Sequence, residues 1–470
     1  MRNYSIYILI LLISLLQLDS FIASAQEGYR ITIKVEGSTD TSLLMTCYYG
    51  NKIKLVDTAV LIAKETFVFE GKKKLPGGIY MAVTPRKSKL FEFLIGEDQD
   101  FKMQTDTSDY ALHMKVKNSD ENQVFYDYLK FNEGIYQQNK ALTAQIKELE
   151  KDSDQALDLK NQQDSLNALS IEYKMGVIDR YPDLFVSTLF SAMRDVEVPD
   201  SVLNNSDSTL AFKYYKTHYW DYFKMNDSCL LRTPMISTKL NQYFERAVFF
   251  HPDSVIAAID MVVALARPSR EMVSYLAWHF MSEYQNPKYM GFDKVFVHLA
   301  DKYFSSEPIE NSTPSVLAMI KERADKLRPI LLGEPAPNMI LIDTAGQLKS
   351  LYSIQKKYIL VIFWDYDCGI CKGEIQDLKP IYEQMGNELE IFSVSVNSDL
   401  DKWKKALTER KMPWVNVNGT RSATPDFHDL YDIHGTPVIY LLDKDKKIVA
   451  KRISAEQVPE LIKNLKNIEK

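Results

Sequence analysis

The sequence predicts a multidomain protein: an N-terminal all-β domain, an all-α middle domain and a C-terminal α/β domain with a mixed sheet flanked by helices. Three observations predict it. Short β-branched and aromatic runs, separated by turn formers, fill residues 28–107. Helical patterning dominates 119–328. Strand and helix patterns then alternate from Gly333 onward. A chain of 470 residues also exceeds what one hydrophobic core serves. The expected domains are 26–118, 119–330 and 331–470, behind a signal peptide at 1–25. Hydrophobic residues make up 46% and charged residues 26%, so disorder is not the expectation. The net charge of -6 gives no electrostatic footprint for nucleic acid.

The signal peptide rests on a positive start at Arg2, an apolar run at 7–18 (YILILLISLLQL) and the small-x-small pattern Ala23-Ser24-Ala25. Cleavage there leaves Gln26 first. The apolar run is short for a span of about 20 residues, and Asp19 and Ser20 interrupt it, which disfavours an uncleaved anchor. No cysteine stands at the cleavage region for lipid attachment. The expected location is the periplasm or cell envelope.

In the β region the predicted strands are 29–35, 43–49, 54–60, 65–70, 78–84 and 89–95, with Gly50-Asn51 and Pro76-Gly77-Gly78 as turns. They suit a small antiparallel sandwich or barrel. No acid/base pair or metal-ligand spacing occurs there, so the reading is a packing or docking module. In the α region, 121–181 reads as a helical hairpin ended by Tyr181-Pro182, and helices are predicted at 240–250, 254–266, 270–284 and 293–304. The aromatic stripe Tyr214, Tyr215, Tyr219, Trp220, Tyr222 and Phe223 reads first as core; lining a peptide groove is the rival reading. Self-association, if the protein oligomerises, is expected through this helical domain.

The C-terminal pattern begins at Gly333-Glu334-Pro335-Ala336-Pro337. Predicted strands lie at 338–343, 356–364 (KKYILVIFW, the type buried on both faces), 390–396, 414–417, 438–442 and 447–452. Helices are predicted at 373–384, 399–411, 427–431 and 457–468.

The chain has four cysteines, too few for a disulfide framework at this size. Cys47 and Cys229 read as buried or stray thiols in different domains. Cys368-Gly369-Ile370-Cys371 is different, because it follows the buried strand and opens a helix. A thiol at a helix N-terminus meets unpaired N–H groups and the positive end of the macrodipole, which favour its thiolate. A second thiol one turn inside lies close enough to resolve a mixed disulfide. Cys368 is therefore the expected nucleophile and Cys371 the resolving thiol. A zinc site would need two more Cys or His at suitable spacing, and haem attachment would need His where Lys372 stands. No glycine-rich phosphate loop follows a strand. No cofactor or metal is expected beyond the redox-active pair.

Phe363-Trp364 before the motif, the CGIC motif itself, Glu374 to Pro380 in the next helix and Gly435-Thr436-Pro437 before a strand resemble a thioredoxin-fold protein. More narrowly, they are similar to the envelope ResA and TlpA group, as are the 333–338 entry and the insertion from Asp399 to Trp414. The resemblance covers about the last 140 residues. It implies a cis Thr436–Pro437 bond beside the cysteines, with the Thr436 backbone open to a substrate strand and Trp364 packed by the motif. Thr436, Pro437 and Trp364 are thus the candidate substrate-binding residues. It also implies protein disulfide substrates and a membrane electron donor.

Three departures stand out. Ile362 replaces a buried acid, Gly369-Ile370 replaces a proline-containing pair, and Asp367, with Asp365 nearby, stands where Trp is frequent. A helix N-terminus favours an anion by about 0.3–1 kcal/mol, up to about 2 when partly buried. A carboxylate roughly 6 Å away opposes it by about 1–3 kcal/mol. The two nearly cancel, so Cys368 is expected not to be strongly acidified and the pair to be reducing. Glu374 and Asp367 are the candidate acid/base groups, with solvated helix-end acids as the rival reading. The alternative to an enzyme is an envelope binding or scaffold protein with incidental thiols. A thiol peroxidase is disfavoured, because no Thr and Arg flank Cys368 in the required arrangement.

Overall fold

The structure, a computed structural model, describes residues 28–151, 153–305 and 309–468. The expected signal peptide lies outside the described residues. The chain divides into two compact units, Met1–Ala247 and Val248–Lys470. No described helix is long and apolar enough to cross a membrane.

The first unit opens with β1 (Tyr29–Glu36), β2 (Ser42–Tyr49), β3 (Lys52–Ala63), β4 (Thr66–Gly71), β5 (Gly78–Val83), β6 (Lys89–Ile95), β7 (Asp100–Asp106) and β8 (Lys115–Lys117). They form one sheet in the order β6-β5-β2-β3-β4-β1-β7-β8. Alternation sets the faces: Ile31, Ile33 and Val35 of β1 and Phe101 and Met103 of β7 are buried between half-buried or exposed neighbours. The sheet departs from a purely antiparallel arrangement at one pair, because β7 enters beside β1 and runs parallel to it. β7 and β8 lie outside the strands predicted from sequence.

Among the described residues, six α-helices follow in the unit: α1 (Asp120–Lys147), α2 (Asp154–Arg180), α3 (Phe185–Ala192), α4 (Asp200–Leu203), α5 (Thr209–His218) and α6 (Met235–Arg246). Ser119 and Ser153 cap the hairpin helices α1 and α2 with their side chains. Tyr219, Trp220 and Phe223 of the aromatic stripe are buried; Tyr219 and Trp220 pack on Tyr243, and Phe223 packs on Trp220, as in a core.

Two residues at the start of α1 join the helices to the sheet. The wholly buried Asn122 accepts from Leu94 N at 2.7 Å and donates to Leu94 O at 2.8 Å. Its amide thus pairs the free edge of β6 as a neighbouring strand would. Next to it, the Glu121 carboxylate accepts from Phe185 N (2.6 Å) and Val186 N (2.9 Å), serving the start of α3, which has no side-chain cap of its own. Burial pushes the Glu121 pKa up against those bonds. Asn122→Ala leaves the buried Leu94 amide and carbonyl unpaired. It is expected to cost about 2 kcal/mol or more, read as a lowered urea midpoint.

In the second unit, α7 (Pro252–Ala266), α8 (Arg270–Tyr284), α9 (Asp293–Lys302) and α10 (Pro314–Leu327) come first. Then follow β9 (Ile340–Asp343), β10 (Leu348–Ser350), β11 (Tyr358–Trp364), α11 (Gly369–Met385), β12 (Leu389–Ser395), α12 (Leu400–Arg410), β13 (Val415–Ser422), α13 (Phe427–Tyr431), β14 (Val438–Asp443), β15 (Ile448–Lys451) and α14 (Val458–Ile468). The sheet order is β10-β9-β13-β12-β11-β14-β15. β11 to β13 pair in parallel, and β14 runs antiparallel to β11. All of β11 is buried, as its unbroken apolar sequence requires. This is the expected mixed sheet with helices on its faces. β10 is the strand that the sequence reading lacked.

Candidate functional site

The buried strand β11 ends at Trp364, and the chain turns through Asp365, Tyr366 and Asp367 to reach Cys368. Cys368 is the N-cap of α11, with extended backbone angles, and its sulfur accepts from Cys371 N at 3.2 Å. A sulfur here fills the place an oxygen takes in an ordinary cap. The Cys368 N–H donates to Asp365 O at 3.3 Å, closing the turn.

The two sulfurs have different surroundings. Cys368 is partly exposed, whereas Cys371 is fully buried in a core that includes Trp364, Ile375 and Leu378. Burial pushes the Cys371 thiol up to about 11. At Cys368 burial also acts upward, but hydrogen bonds with Cys371, the Thr436 side chain and Ile370 N outweigh it and bring the thiol below its ordinary value. The balance of helix end against nearby carboxylates omitted these bonds, and they decide the direction. Cys229, Cys368 and Cys371 are free thiols, and Cys47 is buried.

Thr436 and Pro437 reach the motif from the other side of the fold. The peptide bond between them is cis, and the Cys368 thiol donates to Thr436 O at 3.7 Å. Trp364 is wholly buried against Cys371. Ile370, between the cysteines, is 71% exposed and puts an apolar side chain beside the accessible sulfur. Asp367 is exposed. Glu374 is partly buried and accepts from Ala455 N at 2.6 Å, which ties it to the short turn that leads into α14. Among the described residues, no group of three or more His, Cys, Asp or Glu could hold a metal.

Sequence reasoning missed Arg410 and Asn397. Arg410 Nη2 donates to Tyr366 O at 2.5 Å, and its guanidinium lies 5.0 Å from the centre of the Trp364 ring. Asn397 Oδ1 accepts from Tyr366 N at 3.1 Å. The turn before Cys368 is therefore held at both its N–H and its C=O. Nothing local in the sequence could reveal this, because the partners lie 44 and 31 residues away.

The thiol asymmetry has a direct readout. In the reduced protein, iodoacetamide is expected to modify Cys368 with a midpoint below pH 9.0, whereas Cys371 resists until about pH 11. The reduction potential should fall by about 59 mV per pH unit below the first midpoint and by about 30 mV per unit between the two, as two and then one proton accompany two electrons. Peptide mass mapping and redox titration check the two parts.

Residues 332–451 match the AhpC/TSA family. Upstream, residues 29–125 and 145–326 match two families described as domains of unknown function, DUF4369 and DUF5106. The chain is 29% identical over 120 residues to the Arabidopsis thaliana protein named "Probable nucleoredoxin 1", spanning 25% of this chain and 21% of that protein. It is 28% identical over 140 residues to the thiol-disulfide oxidoreductase ResA of Bacillus cereus, covering 29% of this chain and 77% of that protein. A solved domain of a "possible thiol-disulfide isomerase" from Cytophaga hutchinsonii is 34% identical, with 30% of this chain and 96% of that one covered and a TM-score of 0.28. Residues 332–451 thus form an AhpC/TSA, thioredoxin-like domain that is similar in sequence to thiol–disulfide oxidoreductases.

Proposed function

We propose that the protein is exported to the periplasm or cell envelope and reduces disulfides of envelope proteins through Cys368 and Cys371. The observation that carries this is the unequal pair: an accessible sulfur with a lowered pKa, backed by a buried thiol held near 11. The Cys368 thiolate attacks one substrate sulfur, the substrate S–S bond breaks, and the leaving thiolate takes a proton. Cys371 then loses its proton and attacks Cys368, releasing the second substrate thiolate and closing the Cys368–Cys371 disulfide. The substrate gains two electrons and two protons. A membrane dithiol donor restores the pair.

Substrate recognition falls to Thr436, Pro437 and the exposed Ile370, with Trp364 as the wall beneath them. Asp367 is the acid/base candidate free of a structural tie. Glu374 has its Oε2 engaged by Ala455 N. The reducing direction is supported by the character of the influences on Cys368. The leading ones are burial and hydrogen bonds with no cation among them, and a neighbouring cation is one of the devices that acidify reactive thiols most strongly. Export is supported by the charged, apolar and small-residue sequence of positions 1–25.

Equilibrating the purified protein with dithiothreitol and glutathione buffers tests the reading. A potential near or below about -270 mV is expected, and one near about -120 mV overturns the reducing direction. If no reversible two-electron couple appears, the oxidoreductase reading gives way to that of an interaction module.

A further inference from the structure

The segment between α13 and β14 carries Thr436 to Cys368, and it is held by a carboxylate with no exposure at all. The Asp432 side chain is 0% exposed, yet it sits among three cationic or ionisable partners. Arg323 Nη1 donates to Oδ1, Arg452 Nη2 donates to Oδ2 at 2.8 Å, and His434 Nε2 lies 2.9 Å from Oδ1. The Asp432 backbone is left-handed, with φ of 52°. A non-glycine residue keeps that conformation only where its surroundings fix it, and Asp is among the side chains that tolerate it. His434 stands two residues before Thr436.

Arg323 comes from outside the thioredoxin-like fold. It lies on α10, before the AhpC/TSA match begins at 332, but inside the same compact unit. Its helix also meets α13 through Lys326, whose Nζ lies 3.2 Å from Asp429 Oδ1 at an exposed position. Only the Arg323 contact leads on to the redox loop.

We infer that Arg323 is a positioning residue for the redox site: through Asp432 and His434 it holds the loop that places Thr436 against the Cys368 sulfur. The helices upstream of the thioredoxin-like fold thereby tune its chemistry. Loss of Arg323 frees the loop, withdraws the Thr436 side chain whose hydrogen bond to the Cys368 sulfur favours the thiolate, and makes that thiolate scarcer at neutral pH. The inference rests on the redox reading of the cysteine pair, but its test requires only a reduced thiol.

The test follows iodoacetamide alkylation of Cys368 by peptide mass mapping in the reduced full chain, with the melting temperature read alongside. Arg323→Met and His434→Ala are each expected to slow alkylation at pH 7 about three- to tenfold and to move its midpoint upward. Arg323→Lys should restore part of the rate. Lys326→Ala, which removes the neighbouring exposed pair, should leave alkylation unchanged. Wild-type alkylation in Arg323→Met, whatever its melting temperature, overturns the inference. Should that variant fail to fold, His434→Ala at its exposed position decides in the same way. If the wild type itself shows no reversible couple while Arg323→Met still slows alkylation, the redox reading fails and the positioning role stands.

Discussion

Cys371→Ala is expected to accumulate a covalent mixed disulfide with substrate, and Cys368→Ser to lose turnover by about a thousandfold or more. The two outcomes follow from the two environments. Cys368 is the sulfur that solvent reaches, and a serine hydroxyl there does not ionise near neutral pH. Cys371 is fully buried in the same core as Trp364, one turn inside the helix from Cys368. Without it, attack on the substrate proceeds but resolution stops. Alanine is preferable to serine at 371, because a hydroxyl buried without a partner costs about 1–3 kcal/mol and would confuse lost chemistry with lost stability. Non-reducing electrophoresis with mass mapping of the trapped adduct reads the result. An adduct on Cys47 or Cys229, or turnover surviving in Cys368→Ser, would falsify the assignment.

The parts of this site that were legible in the sequence are those made by neighbours along the chain. The apolar run before the motif marks a strand buried on both faces, and the motif opens a helix, which starts at Gly369, four residues before the expected 373. What the sequence withheld depends on chain segments meeting from afar. The Asn122 amide pairs with Leu94 across 28 residues, Arg410 reaches Tyr366 across 44, and Arg323 reaches Asp432 across 109. Periodicity reports which face of an element is buried but not what it is buried against. The same limit governed the acidity of Cys368. Helix end and carboxylates could be weighed from neighbouring residues, whereas the contribution of Thr436 exists only once the loop before β14 folds back onto α11. The short β8 and β10, three residues each, have too few positions to show alternation.

Lys451→Met is expected to destabilise the second unit by about 3 kcal/mol, and adding Asp293→Leu to recover most of that loss. Lys451 and Asp293 form an ion pair whose side chains are 5% and 9% exposed, and Lys451 Nζ also donates to Ile330 O at 2.6 Å. Burial draws the Lys451 pKa down while Asp293 holds it up. Methionine keeps the chain length but leaves the Asp293 carboxylate buried without its counterion. Among the described residues, Asp293 Oδ1 already has no hydrogen-bond partner. Removing both charges together exchanges a costly desolvated pair for apolar packing, which is why the double variant should return toward wild type. Urea unfolding of the wild type, both single variants and the double variant closes the cycle. A single variant as stable as wild type would show that the pair is well hydrated in solution. Because Arg452, the next residue, binds Asp432, the same variants also bear on the redox loop. If Lys451→Met lowers stability while Cys368 alkylation stays at the wild-type rate, the charge cluster has two separable duties. Lys451 and Asp293 then hold α9 to the sheet, and Arg323 and Asp432 hold the loop beside the nucleophile.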